Sequence, residues 1–323
     1  MEKEVLLEVK NLKKYFPMKN FFGVKIGDLK AVDDVSFVIY KGETFGLVGE
    51  SGCGKSTLGR TLLQMLKADS GSVIFKGKDI ANLPLSQWKE LRSKLQIIFQ
   101  DPYSALNPNW TVKELIQEPV KNAGLSRKQC DERVRELLKL VNMNEDDMHK
   151  FSYEFSGGQR QRIGIARAVA SYPEFIFCDE PISALDVSVQ AQVVNMLKDL
   201  QQELGLTYLF TAHDLSMVHH ISDRIGVMYL GSMVELGTSE EVFQNPVHPY
   251  TKALISAIPI ADPELGRQSS RIPIQGELPS PMNAPKGCRF CTRCPYVTDR
   301  CREERPELRE ITEGHFAACH ILP

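Results

Sequence analysis

A glycine-rich segment after residue 48 has the residue types and order of a phosphate-binding loop. Its residues are Gly49, Glu50, Ser51, Gly52, Cys53, Gly54, Lys55, Ser56 and Thr57. Glycines let backbone N–H groups curl around phosphate oxygens, and the start of the following helix adds unpaired donors. Lys55 can reach the β- and γ-phosphates, and the Ser56 hydroxyl can ligate Mg²⁺. We predict that every residue of the segment except Glu50 contacts a nucleotide, with a ligand-free glycine turn as the alternative.

Two carboxylates end an apolar stretch much further along the chain. Phe175–Cys178 reads as a strand, and Asp179 and Glu180 follow it. Asp179 can hold Mg²⁺ through a water, and Glu180 can polarise a water for in-line attack on a γ-phosphate. An acidic pair at a strand end is common by itself, so this assignment depends on the glycine-rich segment upstream.

A second candidate anion site lies between these two, where residues 155–162 read FSGGQRQR. Ser156 can cap a helix start, and Gln159 occupies the third helical position of a capping box. Gly157 and Gly158 permit close approach of an anion to the helix N-terminus.

Short apolar stretches rich in β-branched residues predict the strands that must position these groups. The predicted strands are Val5–Val9, Val35–Ile39, Thr44–Val48, Ser72–Phe75, Leu95–Phe99, Phe175–Cys178, Thr207–Thr211 and Ile225–Tyr229. The predicted helices cover residues 58–66, 126–141 and 189–204. Ser126 and Gln129 form a capping-box pair, and Gly205 fits a helix C-terminus. The alternation implies a mostly parallel α/β sheet with a helical insertion between about residues 111 and 169.

The composition is that of an ordinary soluble globular protein. The chain has 323 residues, of which 42% are hydrophobic and 25% charged, and this length suggests about two domains. Its 39 basic and 41 acidic residues give a net charge of −2, which disfavours a nucleic-acid coat protein. No apolar run approaches the ~18 residues that span a bilayer, and the N-terminus lacks a signal-like core. We expect a cytoplasmic protein that does not cross a membrane by itself.

The FSGGQRQR segment resembles the signature sequence of ABC ATPases, with Phe155 in place of the usual leucine. The other motifs of that family follow in order over about residues 5–245. They are an aromatic residue for adenine stacking at Tyr15 (alternatively Phe16), a Q-loop glutamine at Gln100, a D-loop at Ser183–Asp186 and a switch histidine at His213.

This resemblance implies a fold and a mechanism. The implied fold is the α/β ABC-ATPase nucleotide-binding domain, with a P-loop core, an antiparallel β subdomain and a helical subdomain at about residues 101–172. The residues implied in ATP hydrolysis are Glu180, His213, Gln100 and Lys55. The implied Mg²⁺ ligands are Ser56, Gln100 and Asp179. The resemblance also implies a dimer, in which the P-loop of one subunit and the signature of the other enclose one ATP. The signature residues that would contact the partner's nucleotide are Ser156, Gly157, Gly158 and Gln159.

Three further stretches are similar to the ATPase subunits of bacterial dipeptide, oligopeptide and nickel importers. They are residues 96–108 (QIIFQDPYSALNP), 245–254 (NPVHPYTKAL) and 276–290 (GELPSPMNAPKGCRF). The first is more like the second, "F", ATPase subunit than the "D" subunit. The resemblance implies import of dipeptides or oligopeptides, with nickel or another small solute as the alternative cargo. A soluble ABC ATPase is a further alternative, although the chain carries neither a heptad insertion nor a second cassette.

The same resemblance implies partners and a location. The partners are two transmembrane permease subunits, a second ABC ATPase subunit and, indirectly, an extracytoplasmic peptide-binding protein, and no nucleic acid is among them. A heterodimer is expected in the complex and a homodimer in isolation, peripheral on the cytoplasmic face of the cell membrane. We also expect substitutions around Tyr103–Asn107 to uncouple transport while sparing ATP binding.

Five of the eight cysteines lie in the last 36 residues, namely Cys288, Cys291, Cys294, Cys301 and Cys319. Four prolines in residues 273–285 indicate an extended connector. We therefore predict a cassette at residues 1–245, an extension at 246–287 and a Cys-rich module at 288–323.

Clustered thiolates suit Zn²⁺ or an iron–sulfur cluster, and reduced structural thiols are the alternative. In the importer family, the recurring pattern is GC-x5-C-x6-C with a final cysteine after a histidine. The ligand set that this resemblance implies for a [4Fe–4S] cluster is Cys288, Cys294, Cys301 and Cys319. Cys291 is then spare, and Zn²⁺ is the alternative metal.

Overall fold

The computed structural model describes residues 3–122, 126–259, 271–277 and 279–322. The strands are β1 (Val5–Lys19), β2 (Lys25–Tyr40), β3 (Thr44–Val48), β4 (Ser70–Phe75), β5 (Lys78–Asp79), β6 (Leu95–Ile98), β7 (Phe175–Asp179), β8 (Thr207–Thr211), β9 (Arg224–Tyr229), β10 (Ser232–Thr238), β11 (Arg309–Thr312) and β12 (His315–Ala317).

The helices are α1 (Lys55–Leu62), α2 (Leu85–Lys94), α3 (Pro102–Ala105), α4 (Val112–Asn122), α5 (Arg127–Leu140), α6 (Gly157–Val169), α7 (Val187–Leu204), α8 (Leu215–Ile221), α9 (Ser239–Gln244), α10 (Pro249–Ser256) and α11 (Asp299–Glu303). Short 3₁₀ helices cover Glu145–His149, Ser152–Glu154 and Pro281–Asn283. Within the four described ranges, no helix is long and apolar enough to cross a membrane.

The chain forms two compact units, and neither is one continuous segment. The first consists chiefly of Tyr40–Glu43 and Leu83–Ala212. The second consists of Glu4–Ile39, Thr44–Asn82 and His213–Pro323.

The first unit is organised around parallel strands in the order β6-β7-β8. All five residues of β7 and of β8 are buried, as expected for parallel strands covered on both faces. The two strands end together, because Asp179 is in register with Thr211. The predicted carboxylate site therefore lies at the carboxyl edge of this sheet.

Helices α3 to α6 follow β6, and α4 packs against both α5 and α6. Both predicted capping boxes are confirmed. Ser126 pairs with Gln129 at the start of α5, and Ser156 pairs with Gln159 at the start of α6. The predicted stop is also confirmed, because α7 ends at Gly205 in the left-handed region, with φ of 65°.

The second unit holds an antiparallel sheet in the order β2-β1-β4-β5. It also holds a run of strands in the order β11-β12-β10-β9-β3, in which β3 and β9 are parallel and the other pairs antiparallel. The side chains of β3 are buried throughout, so the glycine-rich segment leaves directly from a buried strand.

Several predicted boundaries differ from the structure. Helix α1 begins at Lys55 and ends at Leu62, whereas the prediction was 58–66. The loop residues themselves form its first turn, and a positive φ of 54° at Gln64 turns the chain soon afterwards. Strands β1 and β2 are much longer than predicted, and β1 continues past an irregularity in its pairing with β4.

Strands β10, β11 and β12 were not predicted. Strand β10 is buried along all but its last residue, so no polar alternation marks it. Strand β12 pairs with β10, with Ala317 opposite Glu235, and the end of the chain thus extends the run of strands that contains β3. The domain boundaries at residues 245 and 287 stay predictions.

Candidate functional site

The glycine-rich loop is shaped by two glycines that no other residue could replace without strain. Gly49 has a φ of 150° and Gly54 a φ of 108°. A Cβ at Gly49 would overlap the carbonyl oxygen of Met228, and a Cβ at Gly54 would overlap that of Ala31. The backbone therefore passes too close to its neighbours for any side chain, and this gives the turn its shape.

Lys55 is held inside the loop that it follows. Its side chain is buried, and Nζ donates to the carbonyl oxygen of Gly49 at 2.8 Å. Ser51 and Gly52 are exposed at the tip of the loop. Ser56 and Thr57 lie in the first turn of α1, where the backbone N–H groups have no helical partner.

The cysteine of the loop packs into the interior of its unit. Cys53 is buried, and burial raises the pKa of its thiol. Its carbonyl oxygen accepts from the Gly231 N–H at 2.9 Å, which ties the loop to the turn between β9 and β10.

In the first unit, the structure brings Glu180 and Gln100 together. Glu180 follows β7, is buried, and has a φ of 47°. Its N–H donates to Thr211 Oγ1 at 3.0 Å, and its Oε2 accepts from Gln100 Nε2 at 2.9 Å. A left-handed conformation in a non-glycine residue is strained and is typical of functional positions. Asp179, the last residue of β7, is fully buried.

The D-loop segment is tied to the same carboxylate residue. Ser183 Oγ donates to the Glu180 carbonyl oxygen at 3.0 Å, and the Ser183 N–H donates to it at 3.2 Å. Movement of the D-loop would therefore displace the backbone of Glu180.

The signature segment forms the predicted helix N-terminus. The Ser156 N–H donates to Gln159 Oε1 at 3.0 Å, and the Gln159 N–H donates to Ser156 Oγ at 3.4 Å. A Cβ at Gly158 would lie 2.7 Å from Val189 Cγ1, whereas one at Gly157 would be in ordinary contact with the exposed Tyr103. The two glycines thus serve different needs, since Gly158 permits helix packing whereas the surroundings of Gly157 would accommodate a Cβ.

Tyr15 and His213 both belong to the second unit. His213 is exposed after β8. The Tyr15 hydroxyl donates to Asp33, and burial together with this hydrogen bond raises the pKa of Tyr15. The Nζ of Lys30 lies 5.7 Å from the centre of the Tyr15 ring. The roles of all these residues toward a nucleotide stay predictions.

The structure also shows site residues that the sequence reasoning missed. Glu50, within the glycine-rich loop, accepts hydrogen bonds from Arg293, and Asp33 accepts hydrogen bonds from Arg289 and Arg305. One indication was available in the sequence, because a carboxylate inside a predicted phosphate-binding loop is stabilised in its charged form by a nearby cation. No local pattern identifies which of the many arginines it is.

The cysteine tail brings its thiols into one neighbourhood without forming disulfides. Burial raises the pKa of Cys288 to about 12, and the nearby Cys301, Cys319 and Cys291 contribute in the same direction. Cys294 is the least buried of the five. The donor type suits a thiolate-bound metal. In the part of the chain that the structure describes, however, no three Cys, His, Asp or Glu side chains are placed to hold a metal ion.

Comparisons with known proteins agree with this arrangement. The family model described as "ABC transporter" matches residues 32–183, and the model described as "Oligopeptide/dipeptide transporter, C-terminal region" matches residues 234–301. The oligopeptide transport ATP-binding protein AppF of Bacillus subtilis is 51% identical over 321 residues, with 98% of each chain covered. OppF of Salmonella typhimurium, another oligopeptide transport ATP-binding protein, is 51% identical over 323 residues, with 98% of this chain and 96% of OppF covered.

A solved structure is also similar to this chain. The dimeric post-hydrolysis state of an ATP-binding cassette bound to ADP and Pi aligns with a TM-score of 0.65 and 27% identity, covering 72% of this chain and 99% of that one. Since relatives at about half identity match nearly the whole sequence, this chain belongs to the ATP-binding proteins of the ABC transporter family.

Proposed function

We propose that this protein is the ATP-hydrolysing subunit that powers import of dipeptides or oligopeptides through a membrane ABC transporter. The observation that carries the ATPase assignment is Glu180, held buried in a strained conformation with Gln100 on its carboxylate. The cargo class is supported by the relatives at about half identity and by the C-terminal region at residues 234–301.

In the proposed reaction, each residue acts on a stated atom. Glu180 accepts a proton from the attacking water, and Gln100 orients the carboxylate that receives it. Lys55 gives up its contact with the Gly49 carbonyl oxygen and donates to the β- and γ-phosphates, and His213 donates to the γ-phosphate. Residues Ser56, Gln100 and Asp179 would hold Mg²⁺, which neutralises developing negative charge on the phosphates.

We also propose that the signature segment acts on the nucleotide of a second ATPase subunit. The Ser156–Gln159 capping box satisfies two backbone donors, the N–H groups of Ser156 and Gln159, and leaves the other N–H groups of the first turn of α6 available to an anion. The second subunit is a different ATPase chain in the complex and another copy of this chain in isolation.

The remaining partners are two permease subunits and, indirectly, an extracytoplasmic peptide-binding protein, with this chain peripheral on the cytoplasmic face of the membrane. The F-type assignment is supported by the similarity to AppF and OppF. Tyr103 is exposed and stacks beneath the Arg160 guanidinium at 4.1 Å. This surface next to the signature is where we propose that the permease is received, at residues 103–107.

The cargo is tested in vesicles that contain this chain, its second ATPase subunit and the two permeases, with the peptide-binding protein supplied on the extracytoplasmic side. ATP-dependent uptake of labelled dipeptides or longer peptides is the expected result. Uptake of Ni²⁺ without peptide uptake would replace the peptide assignment by the nickel alternative, and ATP hydrolysis without uptake of either would leave only the ATPase.

For the tail, we propose a [4Fe–4S] cluster held by Cys288, Cys294, Cys301 and Cys319, with Zn²⁺ as the alternative. The proposal is supported by the grouping of reduced, mostly buried thiols, which must converge further when the metal binds. Protein purified without oxygen should contain about four irons and four sulfides per chain, lost in Cys294→Ser and kept in Cys291→Ser. One zinc without sulfide would identify the alternative metal.

A further inference from the structure

Glu50 places a negative charge inside the predicted phosphate-binding loop. It lies in a loop whose backbone and lysine are arranged to receive phosphate groups, where a carboxylate repels the ligand. The structure pairs this carboxylate with Arg293, whose Nη1 donates to Glu50 Oε1 at 3.1 Å and to Oε2 at 2.9 Å. The Arg293 side chain is 9% exposed and that of Glu50 26%. The two residues are 243 positions apart in the sequence, so the tail supplies the counter-charge of the loop.

The backbone of Glu50 is fixed from the same side. Its N–H donates to the Tyr250 hydroxyl at 2.9 Å, and Arg293 Nη1 also donates to the Tyr229 hydroxyl at 3.3 Å. The Phe290 ring, three residues before Arg293, meets the Tyr229 ring edge-on at 5.3 Å and packs against the Tyr250 ring at 5.4 Å. This buried aromatic cluster restricts the position of Arg293. Pairing of its guanidinium with Glu50 therefore costs little side-chain conformational entropy.

A second contact links the tail to the other end of the predicted nucleotide site. Arg289 donates to Asp33 Oδ2, and Arg305 donates to the same oxygen at 3.2 Å and to the Asp33 carbonyl oxygen at 2.6 Å. Asp33 in turn accepts from the hydroxyl of Tyr15, the predicted adenine-stacking residue. Arg289 and Arg293 thus lie on either side of the Phe290–Thr292 segment. Arg289 reaches strand β2, and Arg293 reaches the glycine-rich loop.

We propose that Arg293 is a positioning residue for ATP binding that acts through Glu50, so that the cysteine tail sets the nucleotide affinity of the phosphate-binding loop in its own unit. Arg293 neutralises the carboxylate that would repel the phosphates, and it holds the loop residue that follows Gly49. The inference rests on the proposed nucleotide site. Beyond that site, it gives the tail a role in ATP affinity that does not depend on which metal the cysteines hold.

The test measures ATP affinity, kcat, KM for ATP and the thermal midpoint in the full chain with its partner subunits. Arg293→Gln should weaken ATP binding roughly tenfold and raise KM to match, with kcat changed less than about twofold, because a charge-assisted pair is lost at the loop but not at the reacting groups. Arg293→Lys should recover part of the affinity, since it keeps the charge without the planar fork. The matched control is Arg300→Gln, which breaks an exposed ion pair with Glu304 in the same tail and should leave all four values unchanged.

A compensating variant separates positioning from a structural role. Glu50→Gln combined with Arg293→Gln should regain most of the affinity lost by Arg293→Gln alone, because the neutral amide no longer repels phosphate. Wild-type affinity in Arg293→Gln would overturn the proposal. So would a lowered thermal midpoint with equal losses in kcat and kcat/KM and no recovery in the double variant. If the unaltered protein itself fails to bind ATP, the proposed function fails instead, which is a different result from any of these.

Discussion

The phosphate-binding loop and the cysteine tail belong to the same unit, yet their sequences determine their structures in different ways. In the loop, each residue is constrained by its immediate backbone surroundings, as the positive φ values and close carbonyl oxygens at Gly49 and Gly54 show. In the tail, the cysteine spacing brings thiols near one another without placing three of them, among the described residues, to hold a metal ion. A local motif therefore determines the backbone geometry of the loop by itself. The cysteine spacing determines only that the thiols lie near one another, and their exact placement depends on residues far away in the sequence.

The largest expected effect is a loss of ATP hydrolysis that leaves the tail unchanged. Glu180→Gln should lower kcat for ATP hydrolysis by roughly a hundredfold to ten-thousandfold, because the amide cannot accept the proton of the attacking water. ATP binding and the metal content of the tail should be retained. Glu203→Gln, at the exposed end of α7, is the control. Single-turnover hydrolysis measures the chemical step, and equilibrium binding measures the affinity for ATP. An unchanged kcat would remove Glu180 from the role of base.

The next effect tests whether the loop depends on local backbone geometry. Gly54→Ala forces a Cβ into the Ala31 carbonyl oxygen, so we expect ATP affinity to fall at least about tenfold and the free energy of unfolding to drop by about 2–4 kcal/mol. Gly77→Ala is a matched control, since its φ is 78° and no atom lies within 4 Å of the added Cβ. It should cost only about 1 kcal/mol. Equal losses in both variants would show that the close carbonyl contact is not what matters.

This contrast explains how much of the fold could be predicted. The stretch Thr44–Val48, the stop at Gly205 and both capping boxes are short-range features, and the structure confirms them. Helix α1 was placed three residues late because the loop itself forms its first turn. In each case the determining interactions lie within a few residues.

The missed features depend on residues far apart in the chain. Strand β12 is three residues long and exists through its pairing with β10, about 80 residues earlier. The Arg293–Glu50 pair spans 243 residues, and no periodicity reports such a contact. The two units are likewise assembled from interleaved segments, which a search for a boundary along the sequence cannot detect.

A third prediction tests whether the tail is part of the unit or an attached module. Buried Glu235 accepts from the N–H groups of Val247 and His248 at 2.8 and 2.9 Å, and it lies 2.8 Å from Nε2 of buried His315 on β12. His315→Ala leaves part of that carboxylate without a partner and should lower the free energy of unfolding by about 3–4 kcal/mol.

The control for this variant is His320→Ala, whose ring nitrogen Nε2 lies 3.0 Å from the backbone carbonyl oxygen of Glu304 at an exposed contact. Denaturant unfolding followed by tryptophan fluorescence is the measurement, because both tryptophans lie outside the tail. If the transition that the tryptophans report stayed in place in His315→Ala, the tail would unfold separately from the rest of the chain and would be an attached module.

The smallest expected effect is a pH dependence that originates at the start of α10, between the two regions in the sequence. His248 is fully buried, its Nδ1 accepts from the Tyr250 N–H at 3.1 Å, and burial lowers its pKa to about 4. The unfolded chain binds this proton near pH 6.5 and the folded chain only near pH 4, so stability is fully present above pH 6.5 and falls as the pH drops through this window. The loss approaches about 3 kcal/mol.

His248→Asn keeps the helix-capping acceptor and should flatten this part of the profile, whereas His220→Asn, at an exposed position, should follow the parent. Parallel profiles for all three proteins, measured as unfolding free energy from pH 4 to 7.5, would show that the buried imidazole is not the titrating group.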